Sequence, residues 1–279
     1  RRRDRPRARH HYPQRVHGLL LVEIAGQGAS CSATVVSSRE EDVIVTAGHC
    51  LLVPGEVSGG AGIVFAESVA FIPGYRNPGT GATPAEPFGR FAGVRLGTPR
   101  AFAQTGDISF DFGVVKLAPG AAGKIETAIG SRGIAFNRKS KSFRGDVFEI
   151  NGYPARPPPE YDPTRRRMIL CVSSFQGFER STGAPVVGPC NQQEGSSGAG
   201  WVRKRRVESL TSHAGCASPA GCSLISGSYF GDEEFNVYRE LGGVATGKRK
   251  KLKRCKKKPS KSKRTGCRRK LQRFSPTGA

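Results

Sequence analysis

The stretch Val43-Ile44-Val45-Thr46-Ala47-Gly48-His49-Cys50 decides the fold: a β-branched run is followed by two small residues and then by a histidine beside a cysteine. Such a run is typical of a buried strand, because β-branched side chains pack well on a pleated surface. A second apolar run spans residues 31–36, and the polar turn 37–42 between the two predicts an antiparallel hairpin. A disulfide between Cys31 and Cys50 would tie its arms and stabilise the fold by about 3 kcal/mol in the chain-entropy model.

The rest of the chain also favours β structure. The 37 Gly and 19 Pro make up about a fifth of the 279 residues, which argues against a helical bundle. One short helix is predicted at 233–241, and no apolar run reaches the ~18 residues that cross a bilayer. Further strands are predicted at 18–24, 63–70, 110–117, 147–152, 168–175, 200–206 and 223–229. We therefore expect an all-β fold of antiparallel strands, a sandwich or a barrel.

The net charge of +23 is concentrated at the two ends. Residues 1–15 carry +6 and residues 248–279 carry +16, which leaves +1 for the body of the chain. We expect 1–15 to be a disordered basic leader, as in the remnant of a pro-segment, and 246–279 to be a tail outside the fold. The segment 248–270 has almost no aromatic residues for stacking on bases. It is predicted to be either a solvated tail or an adhesive for a polyanionic surface: cell-wall polymer, anionic lipid or nucleic acid without sequence preference.

The cysteines point to an oxidising compartment. An even number of cysteines favours disulfides, and nearest neighbours give four pairs: Cys31 with Cys50, Cys171 with Cys190, Cys216 with Cys222, and Cys255 with Cys267. Reduced cytosolic thiols and a zinc site are the alternatives, but the CxxC spacing of zinc sites is absent. The pairing of Cys255 with Cys267 is the least supported, because no packed structure is expected in the basic tail to hold the two cysteines together. We expect the protein to be secreted or associated with the cell surface.

Three motifs carry candidate chemistry. The first is His49 after the buried strand; the second is Asp111 at the entrance of the apolar strand 112–117; the third is Ser197 in the glycine-rich bend 194–200. Taken singly, each has an ordinary explanation: a polar residue at a strand end, a turn residue and a flexible linker. All three occur in one chain, each at an end of an apolar strand, and together they indicate a shared site more strongly than any of them alone.

Together the motifs resemble the chymotrypsin-like serine proteases, in style most like bacterial secreted glutamyl endopeptidases. The order His, Asp, Ser along the chain is that family's order and not that of subtilisins or α/β-hydrolases. The resemblance covers roughly residues 16–240. It implies two antiparallel Greek-key β-barrels, with an N-terminal barrel in 16–125, a C-terminal barrel in 126–245 and the site in the cleft between them.

The resemblance also implies roles for the residues. Ser197 would attack the peptide carbonyl, His49 would take its proton, and Asp111 would orient the imidazole. The backbone N–H groups of Gly195 and Ser197 would form the oxyanion hole. Asp107 competes with Asp111, but the apolar strand begins directly after Asp111. No metal or organic cofactor is expected.

The chain departs from the family directly before Ser197. Ser196 stands where the family often has an aspartate that pairs with a cleaved N-terminus, so activation by N-terminal insertion is not expected.

Ser212, His213 and Asn191 are candidate substrate-binding residues. In glutamate-specific relatives a histidine on this wall meets the substrate carboxylate, and His213 is either that residue or an exposed histidine of the rim. No acidic pocket for Lys or Arg is evident.

These observations predict a secreted serine endopeptidase that acts on protein or peptide substrates as a monomer. The first alternative is a catalytically silent protease-like module that binds polyanions through its basic ends. The second is a nucleic-acid-binding protein, which the nearly neutral body disfavours.

Overall fold

The computed structural model describes residues 12–59, 62–78, 83–155, 167–190, 192–214 and 223–243. Within these ranges, no helix is long and apolar enough to cross a membrane. Several predictions lie outside the described residues: those on leader residues 1–11, on Asn191, on Cys216, Cys222, Cys255 and Cys267, and on the tail 246–279.

The first half of the described chain forms a closed six-stranded barrel. Its strands close in the order β1-β2-β3-β8-β7-β6, and each pairs antiparallel with its neighbours, while β4 and β5 form a separate pair. In chain order the strands are β1 (His17–Ile24), β2 (Gln27–Val36), β3 (Val43–Thr46), β4 (Leu52–Val53), β5 (Val64–Phe65), β6 (Ser68–Pro73), β7 (Phe91–Gly97) and β8 (Gly113–Leu117).

The second half forms another antiparallel barrel. Its strands follow the order β13-β10-β11-β12-β15-β14, a pairing between β13 and β14 closes the ring, and β9 is added parallel to β14. These strands are β9 (Gly133–Ile134), β10 (Val147–Gly152), β11 (Ile169–Phe178), β12 (Pro185–Gly188), β13 (Gly200–Arg203), β14 (Arg206–Ala214) and β15 (Ile225–Gly227). The prediction of an all-β protein made of two six-stranded antiparallel barrels is confirmed.

The described residues also form three short α-helices, α1 (Arg100–Thr105), α2 (Ile125–Ile129) and α3 (Asp232–Glu240), and four 3₁₀ turns at Gln14–Val16, Gly48–Cys50, Ile108–Phe110 and Ser140–Phe143. Helix α3 lies within one residue of the predicted helix. Three acidic residues occupy its first turn, where they favour the positive end of the helix dipole. The carboxylate of Glu234 also accepts the backbone N–H of Gly231 at 2.7 Å, which caps the helix start.

The burial of β3 explains why its sequence is a continuous apolar run. It lies between β2 and β8, so that Val45 pairs with Thr34 on one side and with Val114 on the other. All four of its residues are fully buried. The predicted disulfide between Cys31 and Cys50 is present, with its Cα atoms 6.2 Å apart.

The second core surrounds a buried tryptophan. The ring of Trp201 lies 5.7 Å from that of Phe148, and its indole N–H donates to Oγ1 of Thr211 at 3.0 Å. A disulfide joins Cys171 and Cys190, as nearest-neighbour pairing predicts. Trp201 lies on β13, only four residues after Ser197. Its packing therefore fixes the strand that follows the glycine-rich bend.

Candidate active site

Strand pairing brings His49 and Asp111 together. β3 and β8 are antiparallel, and Thr46 at the end of β3 pairs with Gly113 at the start of β8. His49 lies on the 3₁₀ turn Gly48–Cys50 that follows β3, and Asp111 lies two residues before Gly113. The two motifs therefore meet at one end of the first barrel, although 62 residues separate them in the chain.

Both oxygens of the Asp111 carboxylate bind His49. Nδ1 of the imidazole lies 2.8 Å from Oδ2, and the backbone N–H of His49 donates to Oδ1 at 2.9 Å. Only 1% of the Asp111 side chain is exposed, against 41% of the His49 side chain. Because an ionised carboxylate can only accept, Nδ1 carries the proton of this bond and Nε2 is left for other contacts.

His49 and Asp111 each shift the pKa of the other in the direction that favours its charged form. Burial by itself would lower the pKa of His49, but the charge of Asp111 and its hydrogen bond outweigh burial and raise that pKa above its ordinary value. Burial by itself would raise the pKa of Asp111. The charge of His49 and hydrogen bonds from His49 and Ser212 outweigh it, so the carboxyl has a lowered pKa and is ionised.

Asp107, the other candidate for the role of Asp111, caps a turn. Oδ1 of Asp107 accepts the backbone N–H of Ser109 at 2.9 Å and so caps the 3₁₀ turn Ile108–Phe110, which leads into Asp111. Its side chain thus shapes the approach to Asp111.

Ser32, on β2 of the first barrel, clamps the bend that carries Ser197. Its hydroxyl accepts the N–H of Tyr153 at 2.8 Å and donates to the carbonyl of Gly195 at 3.0 Å. Its backbone N–H donates to the carbonyl of Ser197 at 2.7 Å. Three hydrogen bonds from one fully buried residue thus join the first barrel, the end of β10 and the bend.

Two further carbonyls of the bend are held by backbone donors. The N–H of Ala155 donates to the carbonyl of Glu194 at 2.7 Å, and the N–H of Ala199 donates to that of Ser196 at 2.9 Å. In a trans peptide the C=O and N–H point in opposite directions. The N–H groups of Gly195 and Ser197 therefore point away from those donors, and neither donates to another residue in the described part of the chain.

Two glycines permit the shape of the bend. Gly195 and Gly198 have φ values of +91° and +82°, which side chains rarely tolerate. A Cβ on Gly195 would lie 2.9 Å from the carbonyl oxygen of Tyr153. A Cβ on Gly198 would collide with Oγ1 of Thr46 and with the carbonyl of Ser32. The bend is therefore packed directly against the end of β3, three residues before His49.

Ser197 itself is half-buried at this junction. Its hydroxyl makes no hydrogen bond to any other described residue, His49 included. The structure thus joins His49 to Asp111 directly, and it places Ser197 in a bend that contacts the strand end leading to His49.

The two described substrate-binding candidates already have protein partners. The hydroxyl of Ser212 donates to Oδ2 of Asp111 at 2.5 Å. Nε2 of His213 lies 3.1 Å from both carboxylate oxygens of Glu179, and Nδ1 lies 3.2 Å from Oγ of Ser212. A contact of either residue with substrate stays a prediction. For His213, a substrate carboxylate would have to displace Glu179.

The disulfide between Cys31 and Cys50 lies beside His49. A nitrogen of His49 lies within 4.8 Å of the sulfurs of Cys31 and Cys50. Both sulfurs are bonded to each other, so they cannot act as thiolate ligands.

Sequence reasoning missed Ser32 and Glu179. Ser32 is one residue from a disulfide cysteine, but its partner Gly195 is 163 positions away. Glu179 lies in the turn between β11 and β12, and no motif surrounds it. Contacts of this kind become visible only when the fold brings distant parts of the chain together.

Comparisons with known proteins agree with this architecture. No family model and no curated protein matches the chain. Among solved structures, the protease Anisep from Arthrobacter nicotinovorans and the thermostable serine protease AL20 from an extremophilic microorganism are each 23% identical, with a TM-score of 0.66. Each match covers 82% of this chain, and 95% and 97% of those chains respectively. A Glu endopeptidase in complex with MPD is 16% identical over 83% of this chain and 92% of its own, with a TM-score of 0.58. The chain therefore has the two-barrel fold of the chymotrypsin-like serine proteases.

Proposed function

We propose that the protein is a serine endopeptidase that hydrolyses peptide bonds through an acyl-enzyme intermediate. The observation that carries the proposal is the hydrogen-bonded pair of His49 and Asp111, with the bend of Ser197 packed against the strand that leads to His49. An exposed imidazole held by a buried, ionised carboxylate is the arrangement that a general base needs. The fold it shares with serine proteases is consistent with this activity.

The acid–base chemistry follows from the geometry of the pair. His49 gives Nδ1–H to Asp111, so its Nε2 is the nitrogen that can take the hydroxyl proton of Ser197. Substrate would complete that contact, since catalytic hydrogen bonds often tighten only when substrate is bound. Asp111 then stabilises the imidazolium, and the same proton passes to the leaving amine. The neutral form of His49 is the active base.

The oxyanion would be stabilised by the N–H groups of Gly195 and Ser197. Both are free of protein acceptors in the described residues, and the peptides that carry them are held by Ala155 and Ala199. Preorganised donors of this kind need no rearrangement as charge develops, and loss of one typically costs about 3–4 kcal/mol of transition-state stabilisation.

The bend has a support that does not depend on an N-terminal amine. Ser196 stands in the place of the family's aspartate, is fully buried, and has no charge with which to bind an amine. Ser32 instead fixes the carbonyls on either side of it. We infer that the bend is held in its working shape without N-terminal insertion.

The substrate class is protein or peptide, as for the proteases with the same fold. The pairing of His213 with Glu179 does not favour a preference for glutamate of the kind that the name of the similar Glu endopeptidase implies. Two disulfides are consistent with secretion or display at the cell surface.

The decisive experiment is labelling by a fluorophosphonate probe, which reacts with activated serine hydroxyls. We expect the oxidised wild-type protein to be labelled and to cleave a peptide library. Ser197→Ala should lose both, because the nucleophile is gone. Ser196→Ala is the matched control: it removes the neighbouring hydroxyl, which has no role in the reaction, and should still be labelled.

Absence of labelling in the folded, oxidised wild-type protein would contradict the proposal. It would favour the alternative of a catalytically silent module whose function is to bind polyanions through its basic ends.

A further inference from the structure

A continuous chain of hydrogen bonds connects Glu179 with the candidate catalytic pair. Glu179 binds Nε2 of His213, Nδ1 of His213 binds the hydroxyl of Ser212, and that hydroxyl donates to Asp111. The bond lengths are 3.1, 3.2 and 2.5 Å in that order. The chain thus crosses from the turn between β11 and β12, through β14, to the start of β8.

An irregularity in β14 makes this path available. The pairing of β14 with β15 shifts register between Thr211 and His213, which places a bulge at Ser212. In a regular strand, successive side chains point to opposite faces, whereas a bulge re-aims one of them. The side chains of Ser212 and His213 can therefore contact each other.

The number of available protons fixes the state of His213. Ser212 has one hydroxyl proton, and the ionised carboxylate of Asp111 can only accept, so the proton lies in the bond to Asp111. Nδ1 of His213 must then donate to the hydroxyl oxygen. Nε2 faces the carboxylate of Glu179, which also can only accept. Hydrogen bonds at all three contacts therefore require a proton on each ring nitrogen of His213, as in an imidazolium.

Glu179 is well suited to be its counter-ion. The hydroxyls of Ser226 and Thr182 donate to its carboxylate at 2.5 and 2.7 Å. Burial by itself would raise the pKa of Glu179, but these hydrogen bonds and the charge of His213 lower it below its ordinary value. In the part of the chain that the structure describes, the charged groups linked to His213 by hydrogen bonds are Glu179 and, across Ser212, Asp111. β15 contributes the hydroxyl of Ser226.

We propose that Glu179 is a positioning residue of the site: by holding His213 as an imidazolium, it commits the hydroxyl proton of Ser212 to Asp111. This inference rests on the proposed function only for its catalytic consequence. If His213 were neutral, its Nδ1 would compete for the proton of Ser212. Asp111 would then lose a donor, become more basic, and hold the proton of His49 more tightly.

The test compares wild type with Glu179→Gln. Glutamine keeps the length of the side chain and an acceptor for Nε2 but removes the charge. Glu40→Gln is the matched control, because it removes one carboxylate from an exposed pair with Lys116 on the surface. Two readouts are used: nitrogen-15 NMR of histidine-labelled protein at pH 7.5, and the pH dependence of kcat/KM.

For wild type we expect His213 to show two protonated ring nitrogens at pH 7.5, where a histidine in water is mostly neutral. In Glu179→Gln we expect a single protonated nitrogen. We also expect the acid limb of kcat/KM, which reports the protonation of His49, to move to higher pH, because a more basic Asp111 holds the proton of His49 more tightly. Glu40→Gln should match wild type in both readouts.

A neutral His213 in wild type would overturn the proposal, and this measurement needs neither a variant nor activity. The NMR result on His213 can therefore be distinguished from a failure of the proposed function, which would appear as an absence of labelling by the fluorophosphonate probe. If Glu179→Gln changed the state of His213 but left the acid limb in place, the positioning role would be wrong. If Glu179→Gln failed to fold, Thr182→Val would serve, since it removes one donor to Glu179 and should shift both readouts in the same direction by less.

Discussion

Ser32 holds the bend that carries Ser197. It contributes a hydroxyl to the carbonyl of Gly195 and a backbone N–H to the carbonyl of Ser197, so it holds the residue before Ser196 and the residue after it. Those two residues carry the N–H groups proposed for the oxyanion hole. The role of Ser32 is therefore expected to appear in the chemical step and not in substrate binding.

We predict that Ser32→Ala lowers kcat about tenfold with little change in KM. The substitution removes the hydrogen bonds of the hydroxyl to Tyr153 and to Gly195, and the bond to Gly195, worth about 1–1.5 kcal/mol, orients the oxyanion donors. A peptide aldehyde, which mimics the tetrahedral intermediate, should bind more weakly by a similar factor. Ser68→Ala is the control, since the exposed hydroxyl of Ser68 meets only Glu23 at 3.3 Å. A rise in KM at unchanged kcat would contradict this role.

The candidate site was predictable from sequence only where neighbouring residues carry the signal. His49 and Asp111 follow and precede strands that are evident as apolar runs, and their hydrogen bond results from the pairing of those strands. The partners of His213 and of the bend come from distant parts of the chain. Ser32 is 163 residues from Gly195, and Glu179 is 34 residues from His213. No local pattern marks such contacts.

At the scale of elements, strand β10 was predicted with its observed bounds. The prediction of one continuous strand over 200–206 was wrong. The structure has two strands there, β13 and β14, joined by a tight turn at Lys204 and Arg205. Both turn residues have positive φ, +47° and +68°. Such hairpin turns are usually recognised by Asn-Gly or Asp-Gly. A Lys-Arg turn carries no such signal, so most of β14 was missed.

Strands β7 and β12 were missed for related reasons. β7 contains two glycines and one arginine in seven residues, and most of it is at least partly exposed, so it lacks a clear apolar face. β12 is only four residues long and begins with a proline. Neither segment is among the predicted strands, yet each is held in place by pairing with better-defined neighbours, β8 and β11.

Helix α3 is attached to the first barrel through an aromatic cluster centred on Phe136. The ring of Phe136 lies between 5.3 and 6.3 Å from four other rings, those of Phe112, Phe230, Phe235 and Tyr238. Phe235 and Tyr238 belong to α3, and Phe112 directly follows Asp111. The cluster therefore links the terminal helix to the strand that positions the carboxylate.

We predict that Phe136→Ala lowers the free energy of unfolding by about 3 kcal/mol, because it removes a ring from a packed cluster and leaves a cavity. Chemical denaturation monitored by circular dichroism is the measurement. Phe65→Ala is the control: 47% of Phe65 is exposed, so its loss should cost far less. Equal effects of the two substitutions would show that the cluster does not stabilise the docking of α3.

At the scale of the whole molecule, the two barrels are joined by the same contacts that build the site. β2 of the first barrel holds the bend before β13 of the second, and β14 of the second donates to Asp111 of the first. Either barrel alone would lack a member of the proposed machinery. The fold thus explains how residues from distant parts of the chain could serve the one reaction proposed.

The distribution of charge separates this body from the chain ends, because residues 16–247 carry +1 and residues 248–279 carry +16. An electrostatic partner should therefore be bound by the tail, and the interaction should weaken with salt. We predict that deletion of 248–279 abolishes salt-sensitive retention on an anionic resin or on wall polymer while peptide hydrolysis is unchanged. A chain with the same tail residues in scrambled order should be retained like wild type, since the attraction depends on charge and not on sequence. A parallel loss of hydrolysis on deletion would show that the tail also supports the catalytic body and is more than an anchor.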